Sequence, residues 1–526
     1  MRFKLMMLFL LAMMLFNPVY STSYYDTLNM KPGANISFSG GKILNSTNGS
    51  NQTDLMTVWQ GQDKVNKTDS IDPSQINLSK NWSGQMHNVT NGTATQDVVT
   101  KSQLDSNSKR LYVVVGPSAD CDYVTDGTDD QVQIMDAINA SSTVSTVVLK
   151  PGAEFFTSAT IHVENNTTLI ATGATVYSAA DVTMYRIDWN NNVSIEGGTY
   201  VGIYGTSVPS TFFITNDTRN IRINNVNVRG TFGAVINAIG RDWDSDVPRN
   251  LYFNNIDSEG YDYGIAIDGC HDVFISNFRN RGYSADGTRS TSTMNSVLRI
   301  RNRWADCHNV VVNNVIGRGK ISGVMVISDE PAHLVYDVDI SNVDMADMYN
   351  SAVSINGAYN VNVNGVTATN CSASASTTGA IQVTDSHDVN LGSLYAENKT
   401  GQSGYNGMVI QATSTADCYD INVNNVIVKG FAKGKGIRIF ASGSGCNVYD
   451  IILSGVRATG NVDGLFIYET DNATINYVTA VGVNLAGNSN NGFKEAGHID
   501  YSRVVGGRVG TTTIVGAHTF LNDTYT

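Results

Sequence analysis

The sequence predicts an all-β solenoid: a right-handed, single-stranded parallel β-helix of about a dozen coils, closed at its N-terminal end by a short capping helix. Three observations carry that expectation. A motif of Asn or Asp followed by alternating apolar and polar residues recurs eleven times, from Asn192-Val193-Ser194-Ile195 to Asn472-Ala473-Thr474-Ile475. Its anchors are spaced 28, 30, 22, 37, 28, 23, 28, 32, 30 and 22 residues apart, a mean of 28 with a floor of 22, as a constant coil with loop insertions requires. Each interval also holds a second β-patterned segment, often opened by glycine, as in Gly264-Ile265-Ala266-Ile267 and Gly323-Val324-Met325-Val326. Period-two alternation in both segments describes strands with one buried face. Propeller blades need roughly 40 to 45 residues, and leucine-rich repeats place Leu where this chain has Val and Ile. Stacked anchor amides are expected to hydrogen-bond from coil to coil and to satisfy buried turn groups.

The chain divides into three parts. Arg2 and Lys4 precede an apolar run from Leu5 to Phe16, and Val19-Tyr20-Ser21 supplies compact residues before a cut, so residues 1–21 read as a secretory signal peptide. No later segment is long and apolar enough to span a membrane. Residues 22–108 read as an extended, glycan-bearing arm, because nine of the eighteen Asn-x-Ser/Thr acceptors fall there: Asn35, Asn45, Asn48, Asn51, Asn66, Asn77, Asn81, Asn88 and Asn91. Residues 109–526 form the β-helix domain. Its capping helix is expected just after Thr128, where Thr128 to Gln131 has capping-box spacing ahead of apolar Val132, Met135, Ala137 and Ile138. The mature protein is therefore expected to be extracellular or on the cell surface.

Composition narrows the function. With 41% apolar and 15% charged residues the chain is too apolar for disorder and too poor in charge for a coiled coil. The net charge of −13, or −15 without Arg2 and Lys4, disfavours nucleic acid as a partner. The six cysteines form no Cys-x-x-Cys pair, so zinc ribbons and redox motifs are not indicated. Cys270 and Cys307 fall in register on adjacent coils, where either a disulfide or an unbonded thiol ladder fits. His271 and His308 share a phase with Tyr336, Tyr359, His387, Tyr419 and Tyr449, which reads as a stacked aromatic turn ladder rather than a metal site. Asp329, Glu330 and His333 read as a solvated turn, with cation binding as the alternative.

One region combines charge with an insertion. The 37-residue interval carries six arginines within 25 residues: Arg279, Arg281, Arg289, Arg299, Arg301 and Arg303, together with Tyr283 and Trp304. Guanidinium forks pair with carboxylate or sulfate, and the two rings can stack on sugar faces, so Arg279, Arg281, Arg289, Arg303, Tyr283 and Trp304 are the candidate substrate-binding set; the other reading is a surface ion-pair cluster with Asp286 and Asp306, or contacts to a neighbouring copy or to the arm. With strands about 4.8 Å apart, Asp268 should lie beside Arg301, and Arg299 should point the same way.

The segment Asp126-Gly127-Thr128-Asp129-Asp130-Gln131, the helix to Ala140, and Val147-Val148-Leu149-Lys150-Pro151-Gly152 resemble the opening of the pectate-lyase-like β-helix superfamily, which includes tailspikes and polysaccharide-active enzymes. The resemblance covers residues 110 to about 512. It implies a ligand groove on the outward side chains of one strand column. Here those residues read Arg186 and Asp188, Phe213 and Thr215, Val235 and Asn237, Ala266 and Asp268, Arg299 and Arg301, Met325 and Ile327, continuing to Phe466 and Tyr468. Lyases of this kind pair calcium-binding carboxylates with a proton-abstracting Arg. That implies Asp268, Arg299 and Arg301 as the catalytic candidates and Ca2+ as the cofactor, although a full set of calcium carboxylates is not visible. Hydrolases of this fold use clustered Asp with a Gly-His-Gly segment, which Asp262-Tyr263-Gly264-Ile265-Ala266-Ile267 lacks. Tailspike-like relatives are often trimers, so a homo-oligomer is an allowed expectation. The arm, the acceptor clustering and the missing catalytic set favour a structural, adhesive or polysaccharide-binding role. The alternative is a lyase or hydrolase acting on uronate-containing polysaccharide, favoured by the resemblance and the arginines.

Overall fold

The structure, a computed structural model, describes residues 112–140, 146–178, 181–202, 210–230, 233–240, 247–259, 263–282, 296–372, 377–399, 404–413, 416–497, 499–514 and 520–522. The expected leader, the arm with its nine acceptor asparagines, Tyr283 and Arg289 lie outside the described residues. What is described is a right-handed parallel β-helix of about 11 turns. Among these residues, every strand pairing is parallel, in sheets of 22 and 14 strands. No described helix is long and apolar enough to cross a membrane.

One coil shows how the sequence builds the rest. The long strand Arg249–Glu259 is followed by the short strand Tyr263–Asp268, and the next long strand begins at His271. Alternate residues point inward, so Leu251, Phe253, Ile256, Ile265 and Ile267 are each at most 1% exposed. Inward residues of neighbouring coils stack into one continuous core. The anchor residues are corners: all eleven, from Asn192 to Asn472, have φ between 52° and 60°. A left-handed conformation costs an ordinary L-residue about 1–2 kcal/mol, and Asn and Asp adopt it most readily. A second left-handed column follows five residues after each anchor, at Gly197, Asn225, Asn255, Asn277, Asn314, Asn342, Gly365, Ser393, Asn425, Gly455 and Tyr477. Each long strand is thus bent twice, and the ladder skips both bends: Leu251–Asn254 pairs with Val273–Ser276, and Ile256–Glu259 with Phe278–Arg281.

The anchor amides do bond between coils, as from Asn220 to Asn192 at 3.0 Å, and so do those of the second column, as from Asn255 to Asn225 at 2.6 Å. They do so at the surface, so their residue type answers to backbone conformation rather than to buried polar groups. The aromatic ladder forms as expected: six successive ring pairs from His271 to Tyr449 stack with centroids 4.7 to 5.1 Å apart and planes within 10°. Leading glycines have a steric cause. A Cβ on Gly264 would stand 2.2 Å from the Val297 carbonyl oxygen of the next coil, and one on Gly323 would stand 2.1 Å from that of Ala352.

One expectation is corrected here, and one of two open alternatives is seen. The helix Gln131–Asn139 buries Ile134, Ala137 and Ile138 against the first strands, but Val132 is exposed and no capping box forms. Thr128 instead donates to Asp126, while the Asp130 carboxylate accepts the Gly127 and Phe156 amides and Gln131 pairs with Ser158. Cys270 and Cys307 carry no disulfide; all six cysteines are buried free thiols. Cys270 Sγ donates to the Asp268 carbonyl at 3.6 Å, and burial pushes the Cys307 thiol up to about 12.

Candidate functional site

The short sheet is the face that the fold prepares for a ligand. The left-handed corners each consume a single residue, so length variation collects at the two edges of the short strands. Their outward side chains form columns bordered by loops. The register Arg186↔Phe213, Ala266↔Arg299↔Met325 and Asp268↔Arg301↔Ile327 confirms the expected columns. The pair expected at Val235 and Asn237 is corrected to Asn237 and Ile239, which stand beside Ala266 and Asp268.

Asp268 and Arg301 meet as expected. Arg301 donates to Asp268 Oδ2 through Nη2 at 2.5 Å and Nε at 3.2 Å, and the Arg303 amide donates to Oδ1 at 2.8 Å. The Asp268 residue is 1% exposed and the Arg301 side chain 14%. Arg301 Nη1 also lies 3.5 Å from Asp329, so the guanidinium stands between the Asp268 and Asp329 carboxylates. Arg299, one step along the same strand, places its guanidinium 3.9 Å from the centre of the Tyr263 ring. Burial and the neighbouring Arg301 lower the Arg299 pKa, and its buried Nε has no hydrogen-bond partner.

The other arginines divide. Arg303 lies over the Trp304 ring at 4.8 Å, and both are exposed beside Asp268. Arg279 and Arg281 belong instead to the long strand His271–Arg281, where Arg279 stands beside Asp257 in the ladder and Arg281 lies 3.7 Å from that carboxylate. They face away from the column because the corners at Asp272 and Asn277 turn the chain onto the other sheet. Sequence reading missed Tyr263, the platform for Arg299, and the buried Asn302. Asn302 Nδ2 bonds Ser328 Oγ at 2.6 Å and its Oδ1 accepts the Asp329 amide at 3.0 Å, so it fastens the loop that carries Asp329. A lone Asn directly after an outward Arg pair was the available signal.

The described residues do not supply a set of calcium carboxylates. Among the described residues no group of three or more His, Cys, Asp or Glu side chains converges on one point. Asp188, the other carboxylate of the column, pairs with Arg186 at 2.8 Å. It lies three strands from Asp268, roughly 14 Å at the usual strand spacing, beyond the separation of about 6.5 to 9.5 Å used by inverting hydrolases.

Fold and column together define a right-handed parallel β-helix with a cationic outer sheet. No family model matches the chain, and no curated protein matches its sequence. Among solved structures it is similar to the N-terminal fragment of bacteriophage phi29 gene product 12, with TM-score 0.50 and 16% identity over 74% of this chain and 69% of that one. It is also similar to the A-module of a mannuronan C-5 epimerase from Azotobacter vinelandii, with TM-score 0.39 and 14% identity over 77% of this chain and 97% of that one. The tailspike protein of E. coli bacteriophage HK620 gives TM-score 0.46 and 10% identity over 78% of this chain and 72% of that one. At such identities the likeness concerns the fold.

Proposed function

We propose that the chain is an exported glycoprotein that binds acidic polysaccharide along the outer face of its short sheet without cleaving it. The observation that carries this reading is the engagement of Asp268. Both of its oxygens are committed, one to Arg301 and one to the Arg303 amide, and it is buried. A carboxylate held this way is poorly placed to move a proton or to activate water. Its neighbours Arg299 and Arg303 supply positive charge beside the aromatic Tyr263 and Trp304, a combination suited to sugar carboxylates or sulfates. Export and glycan attachment rest on the leader and on the clustered acceptors of the arm.

A second reading is eliminative cleavage of a uronate polymer with Arg299 as the base, favoured by its lowered pKa. One experiment separates the two. The purified protein is incubated with uronate and sulfated polysaccharides, with and without calcium; retention is measured by affinity electrophoresis and product size by mass spectrometry. Arg299→Ala and Arg303→Ala are the variants, because Arg301→Ala would also orphan Asp268. Retention that weakens in both variants, with intact polymer throughout, supports binding. Shortened chains with unsaturated ends from wild type alone would establish the lyase instead, and absence of retention and cleavage across the panel rejects both.

A further inference from the structure

Resting on that reading, we propose that the same polymer has a second anchor site far along the short sheet, built from Gln411, Arg438, Phe440, Phe466, Tyr468 and Lys494 and fitted to an anionic sugar residue. All six occupy outward positions of consecutive short strands: Gln411 stands beside Phe440 and Phe440 beside Tyr468, while Arg438 stands beside Phe466 and Phe466 beside Lys494. The rings form a continuous platform, with Phe440 and Tyr468 stacked at 4.4 Å and Phe466 and Tyr468 at 4.8 Å. Cations border it. Arg438 lies 4.3 Å from the centre of the Phe440 ring and donates to the Tyr468 hydroxyl at 2.8 Å, and Lys494 Nζ stands 4.8 Å from that of Phe466.

Two features point outward to a ligand. The nearby carboxylate Asp463 is buried and taken up by Lys435 at 2.6 Å, whereas Lys494 makes no ion pair among the described residues. Gln411 is 5% exposed, its amide donates to Thr384, and its Oε1 has no hydrogen-bond partner among the described residues. An orphaned acceptor costs about 1–3 kcal/mol, and a sugar hydroxyl can satisfy it. Apolar ring faces take the C–H side of a pyranose while Lys494 and Arg438 complement a carboxylate or sulfate. From the strand of Arg299 to the strand of Arg438 is five steps, roughly 24 Å, across outward positions that carry no charge: Met325, Ile327, Ser354, Asn356, Gln382, Thr384, Val409 and Gln411. One polymer lying along the helix axis therefore meets two cationic stations joined by a neutral track, and binding gains from linking them.

The test is calorimetric titration with polygalacturonate chains longer than that span, using wild type, Phe466→Ala, Lys494→Ala and Arg299→Ala. Lys494 is partly exposed, so its variant keeps the fold, and Phe466→Tyr retains the stack as a further control. The expected result is at least tenfold weaker binding for Phe466→Ala and Lys494→Ala, recovery in Phe466→Tyr, and loss of the Lys494→Ala effect on fully methyl-esterified polymer. If Arg299→Ala weakens binding while Phe466→Ala and Lys494→Ala match wild type, the second site is overturned and the groove reading survives. Weakening by the distal variants with none from Arg299→Ala upholds the second site and rejects the first station. A wild type that binds neither polygalacturonate nor, in the same titration, a sulfated polysaccharide of that length overturns both.

Discussion

Replacing Asp268 by Ala removes the acceptor of two Arg301 donors and of the Arg303 amide in one step. Breaking a buried ion pair by deleting one partner costs about 3–5 kcal/mol, because the remaining charge stays desolvated. Arg301 keeps Asp329 at 3.5 Å, so the lower end applies, about 3 kcal/mol. In a solenoid each coil contacts its neighbours, so this loss should be local. Hydrogen exchange followed by mass spectrometry reads it directly: at 1.4 kcal/mol per decade, amides of Tyr263–Asp268 and Ser296–Arg301 should exchange roughly 100-fold faster. The distant strand Lys435–Ala441 should be unchanged. Adding Arg301→Met should restore most of the protection, since an apolar side chain of similar length does not need the carboxylate. A change below threefold, or an equal change in the distant strand, would refute the structural role given to this pair. Unchanged exchange together with a lost polysaccharide-cleaving activity would assign Asp268 to chemistry.

Three other predictions concern the frame. Asn255, with φ of 51°, should tolerate Gly, whereas Asn255→Val should cost about 1–2 kcal/mol in denaturant unfolding; equal effects would show that backbone conformation does not select the corner residues. His308 is held below its usual 6.5 by burial and by His271, against the opposing pull of Asp272, Asp306 and Asp337. The unfolded chain therefore takes up a proton as pH falls through 6.5 while the folded chain resists, and stability is lost from 6.5 down to the lowered folded value. His308→Tyr, which continues the ring column, should flatten that limb of the pH–stability curve, and an unaltered curve would exclude His308 as its source. Thiol titration should count six reactive cysteines in denaturant without reductant, with slow labelling of Cys270 and Cys307 in the native state; four would indicate a bridge.

The coil could be read in the sequence because its determinants are local. A left-handed corner selects Asn, Asp or Gly at that very position, and a strand with one buried face alternates with period two. The eleven anchors and the stacked rings from His271 to Tyr449 followed from those rules alone. So did the outward columns holding Arg299, Arg301 and Asp268. The same rules failed where a local signal was ambiguous. On the strand Ala234–Ile239 the outward pair lies two residues beyond the expected one. Arg279 and Arg281 are close in sequence to Arg299, yet they lie on a long strand of the other sheet.

By itself, then, the sequence determined a parallel solenoid, the positions of its corner residues, and the column on which a ligand would lie. Tertiary structure decided what the charged groups of that column do. Arg301 and Asp268 are 33 residues apart, and Arg301 and Asp329 are 28 apart, separations set by loops of irregular length. Whether Asp268 is free to take a proton or locked by a guanidinium and an amide depends on how adjacent coils align and how Asn302 holds the following loop. Those are contacts between coils, and no periodicity within one coil encodes them.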